Sequence, residues 1–386
     1  MRVTHVIPGL TYERGGTSTV LEALTRHQVA AGLDVTVLRT DQGARRGERP
    51  VPLATGVQER VAKVIGPDRV AYAPGFARLV RDQLPRTDIL HVHSVFTYPV
   101  HATLRAAAKS RVPVVLSPHG ILHRRRLVMS PRQKRVYLSI WGGLVRRACT
   151  VWHYTSDEEA AESWPYDNSP RFVLGLGIDP EPFEIDRAAA RQAVATRWPR
   201  ISDRPYVLFL GRIHPLKRPD LMLESFLASA PADCHLVFAG PDEVGLWADL
   251  AGRYLRDPAA ADRVAFLGPV VGADKYALLA GARLFALPSE HENFGVTIIE
   301  ALAAGTPVLA SDRADAGRAA EGYAETVPLE PAVWRAALRA TLTRPAVTAE
   351  WSESTRRWVR DRFGWGPLVA RLTDQYTRIL SAGRSG

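Results

Sequence analysis

Cysteine is scarce in this sequence: only Cys149 and Cys234 occur among 386 residues. Two cysteines so far apart provide neither a disulfide framework nor a cysteine-rich metal site. Long apolar runs are also absent, and none approaches the roughly 20 residues that a membrane-spanning helix needs. Residues 1–10 contain one basic residue and a short apolar stretch that ends at Pro8 and Gly9, which is typical of a strand and loop rather than a signal peptide. Because no export signal is recognisable, we expect a cytoplasmic protein.

Acidic residues are in deficit. The chain has 50 Lys and Arg against 40 Asp and Glu, a formal net charge of +10, and an excess of positive charge favours anionic partners. Nucleic acid, an acidic membrane surface and phosphorylated small molecules all meet that condition. Zinc-finger spacing, an aromatic RNA-binding motif and a long Lys/Arg tail are all missing, so we expect no nucleic-acid partner.

Short β-branched runs alternate with helical stretches along nearly the whole chain, which predicts parallel sheets with helices on both faces. A length of 386 residues suits two such α/β domains better than one. The pattern restarts after residues 179–186, a stretch rich in proline and acidic side chains. The predicted strands are Arg2–Ile7, Asp34–Leu38, Ile89–His93, Val112–Ser117, Val151–Tyr154, Tyr206–Leu210, His235–Ala239, Val264–Leu267, Leu284–Leu287 and Pro307–Ala310.

We therefore predict two Rossmann-like domains, over residues 1–178 and 179–360. The remaining residues, 361–386, should form a helix that packs back towards the N-terminal domain. Open parallel sheets bind ligands beyond the carboxyl ends of their strands. Two such domains facing each other would form a cleft, and the residues that line it should directly follow strands.

The first predicted strand leads into Gly15-Gly16, just before a helix. Glycines let backbone amides approach a ligand closely, and a helix N-terminus favours an anion; the alternative is a turn that merely starts the helix. The segment is not the G-x-G-x-x-G fingerprint, and the second strand finishes at Arg39 without an acidic residue. Both observations disfavour an NAD-dependent dehydrogenase.

His119 follows the fourth predicted strand and precedes a glycine, which places it to face a ligand; a structural capping role is the alternative. His91, His93 and His123 lie in the same half of the chain, so a metal site has to be considered. No carboxylate accompanies them locally, and a structural zinc site needs four well-spaced ligands. We therefore expect no metal.

Two cations, Arg212 and Lys217, lie on one loop after the strand that opens the second half. Arginine can bind two phosphate oxygens at once, and lysine adds a point charge. Together they could neutralise a diphosphate without a divalent ion. A solvated basic loop is the alternative.

The most specific segment is residues 287–301, where an apolar strand stops, a polar loop follows and a helix begins. Amides at 294–296 would be free at the helix start to bind phosphate. Glu292 in the loop and Glu300 in the helix flank that position and suit sugar and ribose hydroxyls. Alternatively, Glu300 is a buried ion-pair partner and Glu290 a solvated neighbour.

Taken together, these residues resemble the retaining glycosyltransferases of family 4, which have the GT-B fold. The resemblance covers nearly the whole chain and is strongest at Gly211-Arg212 with Lys217 and at residues 292–300. It implies a nucleoside-diphosphate sugar donor, UDP- or GDP-linked, a hydroxyl acceptor, and no cofactor or metal. The catalytic residues it implies are His119, Arg212, Lys217 and Glu292. The donor-binding residues it implies are Gly15, Gly16, Arg212, Lys217, Asn293, Phe294, Gly295, Val296 and Glu300.

Within that resemblance, Arg212 and Lys217 match the diphosphate clamp, Glu292 the contact to the transferred sugar, and Glu300 the carboxylate that holds ribose. His119 matches a histidine near the donor sugar. The implied reaction is hexosyl transfer with retention of configuration, in exopolysaccharide, glycolipid or other glycoconjugate synthesis. Transfer to a small soluble metabolite, a nucleotide-sugar epimerase and a non-catalytic nucleotide-sugar binder are the alternatives. The base, sugar and acceptor are not identified by the sequence.

Residues 123–147 are basic and partly amphipathic. Such a segment can contact anionic lipid headgroups, as expected for an enzyme that acts on a lipid-linked glycan at the inner face of the membrane. A solvated basic face, or one that binds an acidic soluble acceptor, is the alternative.

Overall fold

The computed structural model describes residues 1–14, 16–129, 131–165, 167–201, 204–242, 244–292 and 294–382. The chain divides into two compact units. The first comprises Met1–Gly177 together with the chain from Trp365 onwards, and the second comprises Ile178–Gly364.

Strands and helices alternate through both units. The strands are β1 (Arg2–Val6), β2 (Asp34–Thr40), β3 (Gln58–Ala62), β4 (Ile89–His93), β5 (Val114–Ser117), β6 (Val151–Tyr154), β7 (Arg171–Val173), β8 (Tyr206–Leu210), β9 (His235–Ala239), β10 (Val264–Phe266), β11 (Leu284–Leu287), β12 (Val308–Ser311) and β13 (Ala324–Val327). The helices are α1 (Gly16–Ala30), α2 (Phe76–Gln83), α3 (Tyr98–Ala107), α4 (Arg124–Met129), α5 (Pro131–Ala148), α6 (Asp157–Glu162), α7 (Arg187–Arg197), α8 (Pro219–Ser229), α9 (Leu246–Tyr254), α10 (Pro258–Asp262), α11 (Gly272–Gly281), α12 (Val296–Ala303), α13 (Asp315–Ala319), α14 (Pro331–Thr343), α15 (Ala349–Phe363) and α16 (Trp365–Ala382).

The first unit contains a sheet in the order β3-β2-β1-β4-β5-β6-β7, with its strands paired in parallel. The strand order reverses direction between β1 and β4. In a parallel sheet such a reversal opens a crevice between the loops that follow the two strands. The loops after β1 and β4 are therefore the expected ligand position in this unit.

The second unit repeats the arrangement with the order β10-β9-β8-β11-β12-β13, again in parallel. Every residue of β8 (YVLFL) and β11 (LFAL) is buried, as expected for central strands covered by helices on both faces. Here the order reverses between β8 and β11. The loops after these two strands carry Arg212, Lys217 and Glu292.

The predicted α/β class with two parallel-sheet domains is confirmed. Three strands were missed in the sequence: β3 (QERVA), β7 (RFV) and β13 (AETV), none of which is fully buried. Each lies at the edge of its sheet. An edge strand needs no continuous apolar run, because one side of it faces no neighbouring strand.

The last helix, α16, completes the core of the first unit. Trp365, Leu368 and Leu372 pack in one buried cluster with Val3 of β1 and Ile89 of β4. The chain thus returns to its first domain after the second is finished. No helix in the described ranges is long and apolar enough to cross a membrane.

Gly240 allows the backbone after β9 to pass close to the loop after β8. Its φ is +141°, and a Cβ atom built there would lie 2.0 Å from the carbonyl oxygen of Gly211. Gly240→Ala should therefore displace the backbone next to Arg212 and reduce the free energy of unfolding by about 2 kcal/mol or more. Chemical denaturation monitored by circular dichroism measures this change.

Gly252 provides the control, since it lies within α9 and a Cβ there meets nothing within 4 Å. Gly252→Ala should stabilise the protein by about 0.5–1 kcal/mol. Equal effects from the two substitutions would show that the close approach at Gly240 is not a structural requirement.

Candidate functional site

Two loops of the second unit meet where its strand order reverses. One follows β8 and includes residues 211–218; the other follows β11 and includes residues 288–295. The backbone N–H of Glu290 donates to the carbonyl of Leu216 at 2.8 Å. The second loop is also bound to the sheet, because the Ser311 hydroxyl at the end of β12 donates to the Ser289 carbonyl at 2.6 Å. Both loops are therefore fixed to each other and to the sheet.

An ion pair joins the two loops. The Lys217 ammonium contacts Glu292 Oε1, with side chains that are only 15% and 11% exposed. The same carboxylate oxygen accepts a hydrogen bond of 2.7 Å from the Ser289 hydroxyl. Two of the residues predicted for the site are thus brought together although 75 positions separate them.

Helix α12 begins directly after this pair. Gly295 precedes it with a left-handed φ of 95°, a conformation that glycine adopts without strain. The Phe294 carbonyl accepts from Ala316 N–H at 2.8 Å and fixes the loop on α13. The first amides of a helix have no partner within it and favour an anion. Asn293, which was predicted to lie here, is outside the described residues.

Glu300 lies in α12, and its Oε1 accepts from the Lys275 ammonium of α11 at 2.9 Å. This is the ion-pair arrangement that the sequence left open for Glu300. Lys275 was missed, since nothing in its local sequence distinguishes it. Its ammonium also lies over the rings of Phe183 and Tyr276, at 5.5 and 5.6 Å from their centroids. The site therefore contains two partly buried cation–carboxylate pairs.

The other basic residues nearby differ in their surroundings. Arg212 lies two residues after the end of β8 and is exposed. Arg218 donates to Asp220 at 2.9–3.1 Å. Arg263 donates to the backbone carbonyls of Ala230 and Pro231 at 3.2 and 2.7 Å. Its guanidinium is a structural brace.

In the first unit, Gly16 is the first residue of α1, where a Cβ would meet nothing within 4 Å. Gly15, its predicted companion, is outside the described residues. Gly16 therefore lies at the start of the first helix, where the sequence predicted a glycine.

His119 lies on a turn held by a buried carboxyl. His119 and Gly120 have left-handed backbone angles, with φ of 52° and 73°, which is uncommon for a residue other than glycine. Glu159 Oε1 accepts from Gly120 N–H, while its Oε2 accepts from the N–H and hydroxyl of Thr155, both at 2.7 Å. Burial raises the pKa of Glu159. Sequence analysis did not identify Glu159 as a functional residue. Its carboxyl group fixes the turn that carries His119.

His119 continues a row of stacked imidazoles in the first unit. His93 lies 4.4 Å from His91 and 5.2 Å from His119 between ring centroids, and His5 lies 5.3 Å from His93. Burial lowers the pKa of His5 and His153 to about 4 and that of His119 to about 3. Burial also takes the pKa of His91 and His93 well below the usual range. These rings are therefore neutral at physiological pH.

The proximity of His5, His91 and His93, whose ring nitrogens lie within 4.8 Å of one another, satisfies the distance criterion for a metal site. His5 Nδ1 and His93 Nε2, however, already share a hydrogen bond of 3.0 Å. Both ring nitrogens of His91 are also engaged, with Tyr376 at 2.6 Å and Ser117 at 2.7 Å. The polar groups around these rings thus satisfy them without a cation.

Comparison with known proteins covers both units. A family model described as glycosyltransferase family 4 matches residues 14–182, and one described as glycosyl transferases group 1 matches residues 204–343. The chain belongs to the family 4 glycosyltransferases.

A similar member of this family is a D-inositol 3-phosphate glycosyltransferase of Salinispora tropica, 34% identical over 240 residues, which are 57% of this chain and 49% of that protein. The chain thus spans about half the length of that relative. A second, D-inositol 3-phosphate glycosyltransferase 2 of Catenulispora acidiphila, is 28% identical over 405 residues, covering 97% of this chain and 92% of the relative.

Among solved structures, Anabaena HepE in complex with UDP and glucose superimposes with a TM-score of 0.76 at 17% identity, covering 98% of this chain and all of that one. At this identity the likeness shows the fold alone, which is GT-B. The predicted family and fold of this family 4 chain are both confirmed.

The neutral histidines of this family 4 chain give a stability that depends on pH. Because folding depresses their pKa values from a usual value of about 6.5, the unfolded chain binds more protons below that pH. The free energy of unfolding should therefore fall as pH decreases from about 6.5 towards 4, by up to about 1.4 kcal/mol per pH unit for each histidine. Glu159, with its raised pKa, opposes this trend as a single group.

Calorimetric melting temperatures between pH 7.5 and 5 measure the effect, since carboxyl groups with ordinary or lowered pKa values titrate mainly below that range. His153→Gln removes one of these histidines and should give a shallower decline than the unsubstituted protein. A melting temperature that stays level or rises on acidification would contradict the assignment of neutral buried rings.

Proposed function

We propose that this protein is a retaining glycosyltransferase that transfers a sugar from a UDP- or GDP-linked donor to a hydroxyl group without a metal ion. The observation that carries the proposal is the Lys217–Glu292 ion pair between the loops after β8 and β11. It lies at the strand-order reversal, beside the start of α12, where open parallel sheets bind ligands. Family membership supports the same assignment.

The donor diphosphate would bind at Lys217, Arg212 and the first amides of α12. Its oxygens compete with Glu292 for the Lys217 ammonium, so donor binding would release this carboxylate to accept hydrogen bonds from the sugar hydroxyls. Glu300 would hold the ribose, next to Lys275. Solved structures of HepE contain UDP and UDP-glucose, which supports a nucleotide-sugar donor of this kind.

The chemical requirement is stabilisation of the departing diphosphate, because the transition state has oxocarbenium character. Preorganised cations and helix amides would supply that stabilisation. We propose that the acceptor attacks on the face that the diphosphate leaves, and that a leaving phosphate oxygen takes the hydroxyl proton. This path retains the configuration and needs no nucleophilic carboxylate.

A glycolipid or other glycoconjugate acceptor is the first candidate, and a small soluble phosphorylated acceptor is the second. The second is favoured by the relatives named D-inositol 3-phosphate glycosyltransferases. The first is favoured by the surface of α4 and α5. Val128, Val136 and Ile140 are 66%, 55% and 61% exposed there, next to the exposed cations Arg132 and Arg135. Apolar side chains among cations are typical of contact with an anionic membrane.

Lys217→Ala should lower kcat about 10²–10³-fold, because one preorganised donor to the developing charge is lost. The donor is first identified by the rise in melting temperature with a panel of UDP- and GDP-linked sugars. Donor turnover is then measured with and without acceptor, which also separates an enzyme from a non-catalytic binder.

Lys63→Ala, at an exposed position, is the matched control and should leave kcat unchanged. The melting temperature of Lys217→Ala is recorded in parallel, since the substitution leaves Glu292 without its cation. Full turnover in a folded Lys217→Ala protein would refute the assignment of this site.

Ile140→Glu should weaken binding to vesicles containing phosphatidylglycerol about tenfold or more, since it removes apolar area and adds a negative charge. Co-sedimentation at low salt measures the bound fraction. Ile65→Glu is the control, because Ile65 is similarly exposed, at 57%, but lies outside α4 and α5. Equal binding to neutral phosphatidylcholine vesicles, or no binding to either kind, would rule out the membrane contact.

A further inference from the structure

A series of hydrogen bonds, joined at one step by the proximity of Gln28 to Tyr376, crosses the first unit and ends at His119. It starts at the backbone carbonyl of Leu174, which accepts from His153 Nε2 at 2.9 Å. A carbonyl can only accept, so the proton of His153 is on Nε2. His153 Nδ1 must then accept, and it does so from the Ser117 hydroxyl at 2.8 Å. Because that hydroxyl has given its proton, the Ser117 oxygen accepts from His91 Nε2 at 2.7 Å.

The second step passes through the C-terminal helix. With its proton on Nε2, His91 accepts at Nδ1 from the Tyr376 hydroxyl at 2.6 Å. The Tyr376 oxygen can then only accept. The amide nitrogen of Gln28 makes no hydrogen bond of ordinary geometry among the described residues, but the amide lies close enough to Tyr376 to offset part of the effect of burial on the pKa of that phenol. Gln28 therefore presents its N–H to Tyr376.

This orientation of the amide fixes the remaining protons. Gln28 Oε1 accepts from His5 Nε2 at 2.8 Å. His5 Nδ1 then accepts from His93 Nε2 at 3.0 Å, and His93 Nδ1 accepts from His119 Nε2 at 2.9 Å. Since each neutral imidazole carries one proton, His119 is left with an unprotonated Nδ1. One assignment satisfies the whole series.

The surroundings allow no competing proton. His5, His91 and Gln28 are fully buried, with no exposed surface, and His93 is 3% exposed. Burial disfavours the charged form of each ring, as their lowered pKa values show. A second proton on His5, His91, His93 or His153 would place two donors against each other within the buried part of the series. The network is therefore neutral and has one direction.

We propose that this series fixes His119 in the tautomer with the proton on Nε2 and presents its Nδ1 lone pair to a hydroxyl group of the bound substrate. Gln28, His5, His93 and Tyr376 act as positioning residues through His119. The last step rests on the function proposed above, whereas the tautomer does not. The ligand chemistry is that of a neutral hydroxyl donor, as on a sugar, and excludes an anionic group at Nδ1.

The tautomer is measured directly in the full-length protein labelled with ¹⁵N-histidine, by long-range ¹H–¹⁵N correlation spectra at pH 6–8. We expect His119 to show a protonated Nε2 and an unprotonated Nδ1, with its signals identified by their loss in His119→Gln. A proton on Nδ1, or on both nitrogens, would overturn the proposal whether or not the protein transfers sugars.

Gln28→Leu removes the group that sets the direction. We expect mixed tautomers at His119 and a kcat about tenfold lower with little change in the donor KM, comparable to the loss of one hydrogen bond. Gln28→Glu should rescue both, since a protonated carboxyl group again has one acceptor and one donor. A single unchanged tautomer in Gln28→Leu would overturn the series as its cause.

Gln83→Leu is the matched control. Gln83 is a buried amide that hydrogen-bonds Thr4 of β1, the residue next to His5, at 3.3 Å. Within the described part of the chain, no hydrogen bond joins Gln83 to the histidines. This variant should lose stability without changing the tautomer or kcat. If Gln83→Leu lowered kcat as much as Gln28→Leu, the effect would be general loosening of the unit. Mixed tautomers at His119 with an unaffected kcat in Gln28→Leu would overturn the substrate contact alone.

Discussion

Parallel strands cannot be joined by tight turns, so each connection in the two sheets must cross a face of its sheet before the next strand begins. Those crossovers cover both faces of the sheet. Loops that follow different strands therefore meet at the edge formed by the carboxyl ends of the strands. The reversals between β1 and β4 and between β8 and β11 decide which loops adjoin. Lys217, Glu292 and His119 all follow the ends of strands, so the chain topology places each of them beyond such an edge.

The two units provide partners for their polar side chains in different ways. The second pairs opposite charges, Lys217 with Glu292 and Lys275 with Glu300. Removing one partner of such a pair leaves an uncompensated charge, which is strongly destabilising. The first unit keeps its imidazoles neutral and satisfies them with one another. Under the proposed function, a charged site suits a ligand with phosphates, and a neutral hydrogen-bonded network suits the placement of one ring.

Much of the fold could be predicted from the sequence because central strands are marked by unbroken apolar runs. The strands Ile89–His93 and Tyr206–Leu210 have the predicted bounds. The meeting of Lys217 with Glu292 could be expected from their positions after strands. The partnership of Lys275 with Glu300 could not, nor could that of Tyr376 with His91, which are 285 positions apart. The periodicity of apolar residues shows which face of a helix or strand is buried. It does not show which polar side chains form ion pairs or hydrogen bonds with one another.

The discontinuity of the first unit has a consequence for biosynthesis. Val3 and Ile89 precede the second unit in the chain, whereas Leu368 and Leu372, which cover them, are made only after that unit. The nascent first domain must therefore wait, with part of its apolar surface uncovered, while all 187 residues of Ile178–Gly364 are synthesised. At elongation rates of about 5–20 residues per second, this interval is of the order of ten seconds or more. During that time the newly made chain is a natural client for chaperones that bind exposed apolar strands.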